Sequence, residues 1–465
     1  MTLEGYYDTV IVGAGPGGLF CANELSRRGH HRLLLVDRGP SEEERTQELG
    51  LPEGAHSGRL EFSSGIGGAG LFSNGALYFD WNAGGFLESW SPELSKSIMS
   101  LVQTRFHQFS SSGNTSGPFD PQEIERQLRL HGFKTKRLQG IHHLGVENTA
   151  KLIGHIVGDL AKNGVTVSPN SNVLSIELVQ GSEKQLTIAK NGGVSSIRCS
   201  NLVLAPGKLG ANWLENIGKS IGIAFSDGAS YVGVRIESRE DSVQALSQLG
   251  NDPKISWASE NIKVKTHCFC AGGYTIPVRY DDCVLVDGIS YRNKMSGRSS
   301  FNVLVRSPNI RTSEARRIAI SVNEIGDMSP LIQLWNDFKS HKKTSPKDLA
   351  SNSEKPTLQC GVPSNIAGIL PAEVSDAVTE FLTKLETAID LQLDSTIIYA
   401  PVVEWWAKRM LVDRFMMTNI EGLYAVGDGA GLSQGITMAA ASGILAAKAI
   451  MDEGLDSIVA VPIAN

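Results

Sequence analysis

Three glycines near the start of the sequence have the spacing of a nucleotide-binding turn. Residues 10–18 read VIVGAGPGG, which places Gly13, Gly15 and Gly18 in the pattern GxGxxG. The first glycine allows a tight turn after a strand, the second lets the backbone approach a pyrophosphate, and the third lets the next helix pack against the strand. The N-terminus of that helix presents free N–H groups and a positive dipole end to the phosphates. This pattern predicts a bound dinucleotide.

A βαβ unit surrounds the three glycines. Asp8 to Val12 reads as a short buried strand, Gly17 to Arg28 as a helix and Arg32 to Val36 as a second strand. Together they have the length of a parallel crossover, about 30 residues. Asp37 ends the second strand, and its carboxylate can accept hydrogen bonds from the 2′- and 3′-hydroxyls of a ribose while it disfavours a 2′-phosphate. The alternative is a glycine-rich turn within a core that binds no ligand.

The other end of the sequence carries a second glycine motif. Leu423 to Asp428 (LYAVGD) reads as a strand that ends in Gly-Asp, and Gly429, Gly431 and Gly435 follow it. A helix of small residues then runs from about Gly435 to Met451. The arrangement resembles the second flavin-binding motif of the glutathione-reductase-like FAD superfamily. The resemblance implies that the aspartate holds the ribityl or pyrophosphate part of FAD and that the helix N-terminus faces the isoalloxazine.

A third segment, Val203 to Gly207 (VLAPG), resembles the strand followed by small residues that lies near the cofactor in this superfamily. A helix N-terminus stabilises negative charge near flavin N1 by about 0.5–2 kcal/mol. NAD dehydrogenases do not need the returning Gly-Asp strand, so we predict FAD as the cofactor. The predicted cofactor-binding residues are Gly13, Gly15, Pro16, Gly18, Asp37, Arg38, Gly67, Gly68, Ala69, Val173, Ala205, Gly207, Gly427, Asp428, Gly435 and Ile436.

Four strings resemble one subgroup of this superfamily, the largely uncharacterised FAD-dependent dehydrogenases. At two positions the sequence departs from the subgroup: His267 replaces the aromatic residue before the first cysteine, and Ala271 replaces a proline. Both lie where a substrate could make contact, so the resemblance implies a cofactor and a fold more than a substrate. The strings are Phe62 to Leu77 (FSSGIGGAGLFSNGAL), Ser230 to Glu237 (SYVGVRIE), Thr266 to Gly273 (THCFCAGG) and Gly427 to Ile436 (GDGAGLSQGI).

The loop of Gly67, Gly68, Ala69 and Gly70 has its own rationale. Side chains there would block the approach of a flat ring or a pyrophosphate, and successive glycine N–H groups can form an anion nest. A flexible lid or turn cluster is the alternative. We expect residues of the longer Gly65–Gly75 loop and of the Thr266–Gly273 segment to border the isoalloxazine.

Cys268 and Cys270 are the first candidates for chemistry beyond the cofactor. On a strand, two residues at this spacing face the same way. They could form a redox couple or a nucleophile, helped if His267 or Lys265 lowers a thiol pKa; the alternative is that both line a pocket. Cys268, Cys270 and His267 are the predicted catalytic residues, and Tyr291 and Glu404 are further candidates for carrying protons.

The rest of the sequence predicts an α/β fold with two domains. A Rossmann-type FAD-binding domain, a parallel sheet with helices, is assigned to residues 1–90, 148–228 and 400–465. Residues 229–399 are assigned to an α+β substrate domain with a mainly antiparallel sheet, because runs such as YVGVRIE and DCVLVDGIS are alternating and β-branched. Residues 91–147 are expected to form a helical and loop insertion between them.

Composition excludes several classes of function. The 465 residues carry a formal net charge of -6 and no strong basic stripe, which argues against a nucleic-acid partner. Six cysteines are too few for a disulfide scaffold and favour a reducing compartment. The sequence contains no run of about 18 apolar residues and no signal-peptide pattern, so we expect a cytoplasmic protein without a membrane span. The spacing of His, Cys and carboxylate residues predicts no metal site.

The middle of the sequence contains no second complete GxGxxG unit, which indicates that a separate nicotinamide domain is lacking. We therefore expect an FAD-dependent dehydrogenase or oxidase. It would take a hydride from a small organic substrate, such as a biosynthetic intermediate, onto flavin N5 and pass electrons to oxygen or another acceptor. One alternative is an NAD(P)H-dependent flavin monooxygenase or reductase. Another is a flavoprotein that catalyses a non-redox cyclisation or isomerisation.

Overall fold

The structure is a computed structural model, and the chain divides into two compact units. The first unit contains Met1–Asn114, Leu138–Ser226 and Ala407–Asn465, and the second contains Thr115–Arg137 and Asp227–Trp406. Residues 91–147, predicted as an insertion between the domains, contribute to both units, and the predicted domain boundaries stay a prediction. The residues described are 3, 5–30, 32–48, 63–71, 75–108, 121–138, 140–179, 182–250, 252–280, 282–291 and 294–454.

The elements of the described residues are numbered here in chain order. The strands are β1 (Tyr6–Val12), β2 (Leu33–Val36), β3 (Ala76–Tyr78), β4 (Lys134–Lys136), β5 (Ile141–His143), β6 (Thr166–Ser168), β7 (Ser171–Leu178), β8 (Lys184–Lys190), β9 (Gly193–Leu204), β10 (Phe225–Ser226), β11 (Tyr231–Arg239), β12 (Lys254–Ser259), β13 (Ile262–Cys270), β14 (Tyr274–Arg279), β15 (Val284–Ile289), β16 (Arg298–Arg306), β17 (Leu331–Leu334), β18 (Val362–Pro363), β19 (Ile397–Glu404), β20 (Arg409–Met410) and β21 (Leu423–Ala425). The helices are α1 (Pro16–Arg27), α2 (Glu42–Glu48), α3 (Pro92–His107), α4 (Gln122–Leu130), α5 (Val146–Lys162), α6 (Ala211–Ser220), α7 (Gln244–Gln248), α8 (Thr312–Ile325), α9 (Trp335–Lys339), α10 (Pro346–Ser351), α11 (Ile366–Ile369), α12 (Ala372–Ile389) and α13 (Ile436–Ile450).

The first unit contains a parallel sheet in the strand order β6-β2-β1-β9-β21. The inner strands are buried on both faces, as the unbroken apolar run of Val10, Ile11 and Val12 requires. The crossover through α1 carries the chain from β1 to β2, while β9 pairs with the opposite edge of β1. This arrangement makes a topological switch point at the carboxyl ends of β1 and β9, the position where sheets of this kind bind ligands.

Strand β9 belongs to two parts of this sheet. Its first half pairs antiparallel with β8, which in turn pairs with β7. Its second half lies parallel between β1 and β21. The first sheet is therefore mixed, and the predicted fold class, a Rossmann-type α/β domain together with a mainly antiparallel one, is confirmed.

Helices α1 and α13 pack directly against each other, although more than 400 residues separate them in the sequence. The contact depends on Gly443, because a side chain there would collide with the carbonyl oxygen of Gly17. Gly17 is less tightly confined, since a methyl group on it would lie 3.2 Å from Cγ2 of Val426. This close packing brings the N-terminal and C-terminal glycine motifs together.

The second unit is built on an eight-stranded sheet in the order β18-β17-β19-β11-β16-β13-β12-β4. All neighbouring strands are antiparallel except β17 and β18. Helix α12 packs against β11, β13 and β16, and the hairpin of β14 and β15 packs against β13, β16 and β19. None of the helices in the described part of the chain combines the length and apolar character that a membrane crossing requires.

Candidate functional site

The turn after β1 is confined by the end of β9. Gly13 has a φ of 103°, and a side chain on it would collide with the carbonyl oxygen of Ala205. The Gly13 N–H donates to the Val36 carbonyl at 2.8 Å, and the Ala205 N–H donates to the Val12 carbonyl at 2.7 Å. Only glycine meets both the conformational and the spatial requirement at position 13.

The next two glycines of the motif have different surroundings. A side chain on Gly18 would collide with the Gly13 carbonyl oxygen, so this glycine lets α1 close on β1. A methyl group on Gly15, in contrast, would meet only the Cα of Gly68, at 3.9 Å. Helix α1 begins at Pro16, and no side chain caps it. An open backbone and an uncapped helix N-terminus suit an anionic ligand such as a pyrophosphate.

The three glycine motifs predicted from sequence come together in the first unit. Gly207 follows β9, and a side chain on Gly429, which follows β21, would collide with the Gly207 carbonyl oxygen. A methyl group on Gly70 would lie 3.1 Å from Cγ of Pro16 and 3.5 Å from Cγ1 of Ile436. The glycine-rich loop therefore lies beside the first residues of both α1 and α13.

Asp37 is held by backbone groups from three segments. Its carboxylate accepts hydrogen bonds from the N–H groups of Ala14 at 2.8 Å, Gly39 at 3.0 Å and Gly65 at 2.9 Å. A carboxylate has about four acceptor positions, so one position is left for a further donor such as a ribose hydroxyl. The sequence predicted the ribose contact but not this scaffolding role.

A cleft of about 520 Å³, which includes its open mouth, lies at the carboxyl ends of β1 and β2. Ser64 lines it, and the buried Oγ of this residue has no hydrogen-bond partner among the described residues. The indole N–H of Trp213 donates to the Val173 carbonyl at 3.0 Å. The lining residues are Val12, Gly13, Val36, Asp37, Arg38, Ser63, Ser64, Ser171, Asn172, Val173, Pro206, Leu209, Gly210 and Trp213.

The cleft fits the nucleoside end of a dinucleotide on two counts. An unsatisfied buried hydroxyl, Ser64 Oγ, is available to a polar ligand. The open side of Gly15 leaves room for phosphates next to a helix N-terminus. Arg38 is exposed on the cleft wall, where its guanidinium can reach a ligand or solvent.

Buried Arg45 positions the glycine-rich loop. Its guanidinium donates to the carbonyl oxygens of Gly65 at 3.2 Å, Ile66 at 2.6 Å and Gly68 at 3.1 Å. A side chain that satisfies three carbonyls fixes the path of a loop that glycine alone would leave free.

The anion nest predicted for this loop is not available from residues 65–68. Their N–H groups donate to Asp37, to the Pro40 and Ala14 carbonyls, and within the loop. Gly67, Gly68 and Ala69 thus stay predicted cofactor contacts on other grounds, namely the closeness of the loop to Gly15 and Pro16. Phe62 and residues 72–74 lie outside the described residues.

The C-terminal motif presents one ionisable side chain. Asp428 accepts hydrogen bonds from Ser433 Oγ at 2.6 Å and from the Gly435 N–H at 3.3 Å. Burial raises the pKa of Asp428, and Lys208 acts in the opposite direction. Gly435 has a φ of 97°, and a side chain on it would meet no atom within 4 Å, so the start of α13 is also open.

Three residues of this site were missed from sequence: Arg45, Ser64 and Trp213. Arg45 is the single basic residue in the helical run EEERTQE, and that isolation is a weak signal for a buried partner. Ser64 and Trp213 carried no signal, because their roles depend on contacts between distant segments.

The predicted catalytic residues lie in the second unit. Cys268 is partly exposed, has a φ of 54° and lies where the pairing of β13 with β16 shifts between His267 and Cys270. Cys270 is buried. His267 Nε2 lies 3.5 Å from Glu404 Oε1, and Lys265 Nζ lies 2.5 Å from Glu404 Oε2. The expectation that one of them lowers a thiol pKa stays a prediction.

The cation that does influence the thiols is Arg235, which the sequence did not single out. Its guanidinium is fully buried and donates to Asn302 Oδ1 and Ser300 Oγ, both at 2.8 Å. A hydrogen bond from Cys268 lowers the pKa of Cys270 to about 7, and Arg235 acts in the same direction. The pKa of Cys268 itself is raised by its interaction with Cys270 and by burial.

The further candidates for carrying protons, Tyr291 and Glu404, also lie in the second unit. Tyr291 packs edge-to-face on Tyr274, with ring centroids 5.8 Å apart. Glu404 pairs with Lys265 and His267. The prediction that Thr266–Gly273 borders an isoalloxazine stays a prediction. Within the described ranges, no group of three or more His, Cys, Asp or Glu side chains could hold a metal ion.

Comparison with known proteins identifies one local family match. Residues 11–41 match the family of NAD(P)-binding Rossmann-like domains. The chain is 26% identical over 484 residues to an uncharacterized protein of Clostridium beijerinckii, and the match covers 96% of this chain and 80% of that protein. The family match covers the turn after β1 and the strand that ends at Asp37, so it agrees with the geometry of the cleft.

Two solved structures are similar over nearly the whole chain. One is a flavoprotein/dehydrogenase from Cytophaga hutchinsonii, with 11% identity, a TM-score of 0.42, and coverage of 97% of this chain and 80% of that one. The other is glycine oxidase from Geobacillus kaustophilus, with 12% identity, a TM-score of 0.41, and coverage of 97% of this chain and 96% of that one. At these values the likenesses carry no argument about activity.

Proposed function

We propose that this protein is an FAD-dependent oxidoreductase that acts on a small organic substrate. The observation that carries the proposal is the convergence of three glycine motifs at the carboxyl ends of β1, β9 and β21. Two uncapped helix N-termini, those of α1 and α13, begin in the same motifs. A single dinucleotide with a central pyrophosphate accounts for both helix ends, which a mononucleotide does not.

The residues of the first unit divide the work of binding. Asp37, Ser64 and Val173 line the cleft and hold the adenosine half. Gly13, Gly15 and Gly18, with the start of α1, accept the pyrophosphate. The predicted partners of the ribityl and isoalloxazine half are Gly207, Gly427, Asp428, Gly435 and Ile436.

When bound, FAD would accept two electrons from the substrate, and oxygen or another acceptor would be the final oxidant. The protein binds and orients the cofactor and holds charge near it. The dipole of α13 favours negative charge at its N-terminus, where Gly435 leaves the backbone open. Cys268, Cys270 and His267 are proposed for the substrate chemistry.

Two alternatives give different results with the same protein. An NAD(P)H-dependent monooxygenase or reductase is reduced by NAD(P)H and not by substrate alone. A flavoprotein that catalyses cyclisation or isomerisation forms product with no net change of flavin redox state. A dehydrogenase or oxidase is bleached by its substrate alone under anaerobic conditions.

The cofactor is tested by the spectrum of the purified protein. We expect flavin absorption bands, and chromatography of the ligand released on denaturation should identify FAD and not FMN. Gly15→Val should remove the bands without unfolding the protein, because position 15 has extended backbone angles and a Cβ there would meet only the Cα of Gly68, at 3.9 Å. Gly5→Val is the matched control, since that position is exposed and its side chain would meet no atom within 4 Å.

A colourless wild-type protein that stays colourless after incubation with FAD would refute the proposal. If FAD is bound, anaerobic titration with a panel of amines, amino acids, alcohols and biosynthetic intermediates, with NADH and NADPH in separate cells, distinguishes the three reaction types. If Gly15→Val and Gly5→Val bind flavin equally well, the prediction that the pyrophosphate lies next to Gly15 is wrong.

A further inference from the structure

Cys268 and Cys270 occupy an irregular part of β13. His267 pairs with Asn302 and Cys270 pairs with Ser300, so three steps along β13 oppose two steps along β16. The extra residue is a β-bulge, and Cys268 adopts the left-handed region with a φ of 54°. A non-glycine residue in this region is strained, and such strain is concentrated at functional positions.

The backbone that joins the two cysteines departs from a regular strand. Residues two apart on an extended strand have Cα atoms separated by about 6.6 Å, close to the upper limit for a disulfide of about 6.8 Å. Here Cys270 Sγ lies 3.7 Å from the Cys268 carbonyl oxygen, so the Cys270 thiol points back toward Cys268. Each thiol also shifts the pKa of the other, that of Cys268 upward and that of Cys270 downward.

Arg235 provides a buried positive charge next to this pair. Two of its nitrogens bind Ser300 and Asn302, and its Nη2 also lies 3.4 Å from the Cys268 carbonyl oxygen. Its Nε has no hydrogen-bond partner among the described residues, although the side chain is fully buried. Asp287 Oδ1 already lies 3.6 Å from its Nη1, and a Cys270 thiolate is a second anion that this site can form beside the guanidinium.

Gly288 covers the thiol and the guanidinium together. A methyl group on Gly288 would lie 2.8 Å from Cys270 Sγ and would collide with Arg235 Nη2. Both groups therefore contact the same few atoms of β15. This position keeps Cys270 shielded from solvent, with 1% of its surface exposed.

The two cysteines differ in access. Cys268 is partly exposed, and its Sγ lies 3.4 Å from Oδ1 of Asp287. Asp287 is itself exposed, so solvent reaches this side of the pair. The Cys268 thiol can thus react with a reagent from solvent, whereas the Cys270 thiol is buried next to the Arg235 guanidinium.

We propose that Cys268 and Cys270 form a redox-active dithiol that closes to an intramolecular disulfide on reaction with a small organic disulfide such as glutathione disulfide. The order of events follows from access. Cys268 is the attacking cysteine, and Cys270 is the resolving cysteine. The role of Arg235 is to stabilise the Cys270 thiolate.

Both steps of the reaction balance. In the first, the Cys268 sulfur bonds to one sulfur of glutathione disulfide, the S–S bond of the reagent breaks, and the Cys268 proton passes through solvent to the glutathione that is released. In the second, the Cys270 thiolate attacks the Cys268 sulfur and displaces the second glutathione. The two cysteines lose two electrons, and the reagent gains them to become two molecules of thiol.

The test uses the full-length protein carrying Cys360→Ser, which removes an exposed thiol elsewhere in the second unit. This protein is incubated with glutathione disulfide, remaining thiols are blocked, and peptides are analysed by mass spectrometry. We expect a peptide that has lost two hydrogen atoms and links Cys268 to Cys270, with full recovery of both thiols after dithiothreitol. Unmodified thiols at both positions, or separate glutathione adducts on each, would overturn the proposal.

Single variants test the assigned order. Cys270→Ser should trap one glutathione on Cys268, because no resolving thiol is present. Cys268→Ser should leave Cys270 unmodified, since it is shielded. Glutathione trapped on Cys270 in the second variant would reverse the roles and contradict the proposal as stated. Cys360 in the otherwise wild-type protein serves as the control for simple exposure and should carry a stable adduct.

The dithiol reaction does not depend on the function proposed above. The chemistry needs a thiol reagent and no flavin, and the peptide readout is independent of colour or turnover. A protein that binds FAD but fails this test keeps the oxidoreductase proposal, and a colourless protein that forms the disulfide keeps the dithiol.

Discussion

The cleft of the first unit and the buried polar cluster on the sheet of the second unit are built from different chemical groups. In the cleft the decisive groups belong to the backbone: carbonyl and N–H groups approach each other across Gly13, Gly18 and Gly429 because these residues lack a side chain. On the sheet of the second unit the decisive groups are side chains. Arg235 and Glu237 are both buried there.

Glu237 illustrates the second kind of construction. Its carboxylate accepts hydrogen bonds from Thr275 Oγ1 at 2.6 Å, from the Thr357 N–H at 2.9 Å, from Thr357 Oγ1, and from Tyr399 OH at 2.9 Å. Burial, followed by the nearby Glu237 carboxylate, raises the pKa of Tyr399 well above its ordinary value. Four donors around one carboxylate satisfy a buried charge that would otherwise be costly.

The difference teaches what each region can tolerate. The cleft tolerates substitution of many surrounding side chains, but it is disrupted when a Cβ is added to one of a few glycines. The hydrogen-bonded cluster of the second unit keeps its backbone when a side chain is replaced, but it loses stability when one of the hydrogen-bonding groups changes its chemistry. Substitutions of these two kinds should therefore separate the regions experimentally.

The largest effect is expected from Gly13→Ala. The added methyl group collides with the Ala205 carbonyl, and alanine is strained at a φ of 103°. We expect a loss of about 3 kcal/mol or more in unfolding free energy and loss of bound flavin. Gly29→Ala is the control, because it has a φ of 74° but no atom within 4 Å, and it should cost about 1 kcal/mol. Urea unfolding and flavin absorbance measure both effects; equal losses in the two variants would contradict the backbone collision.

The next effect is expected from Glu237→Gln. The amide group presents N–H donors to partners that are themselves donors, so buried hydrogen bonds are left unmade at a cost of about 2 kcal/mol. Flavin retention in native buffer should be unchanged, which sharpens the contrast with Gly13→Ala. Urea unfolding followed by tryptophan fluorescence gives the stability. Exposed Glu240→Gln should change it by less than about 0.5 kcal/mol.

The smallest effect is expected from Asp428→Asn, a side-chain change within the backbone-built region. Burial raises the pKa of Asp428, so the folded apoprotein binds this proton more tightly than the unfolded chain does. Stability from this group is full below the unfolded pKa of about 3.9 and falls as pH rises through the folded pKa. The asparagine variant lacks this loss and should be more stable than wild type at neutral pH by less than about 1 kcal/mol.

The pH series for Asp428→Asn is run on apoprotein, with urea midpoints recorded from about pH 4 to about pH 7. The two proteins should be alike at the acid end and diverge as pH rises. Reconstitution with FAD is expected to be weaker in the variant, a trade of stability against binding. A stability difference that does not change with pH would show that burial of the carboxylate is not its cause.

The sequence predicted what depends on neighbours along the chain. Strand Asp8–Val12, helix Gly17–Arg28 and strand Arg32–Val36 are confirmed within two residues at each end, because hydrophobic runs and glycine spacing are local signals. The C-terminal motif was found for the same reason.

Features that depend on pairing between distant segments were not predicted. Arg235 meets Cys268 and Ser300 only because β11, β16 and β13 are neighbours in the sheet. The bulge at Cys268 also arises from strand pairing, so the rule that residues two apart face the same way could not anticipate it. Arg45 reaches a loop twenty residues away through backbone carbonyls, which leave no trace in residue types.

The position of β21 has a consequence for how the protein matures during synthesis. Strand β9 ends at Leu204, and its outer neighbour begins only at Leu423. At translation rates of about 5–20 residues per second, the nascent chain waits on the order of tens of seconds with that edge uncovered. The edge next to the C-terminal glycine motif is therefore completed only after Leu423 has been synthesised, and we expect any prosthetic group to bind after that point.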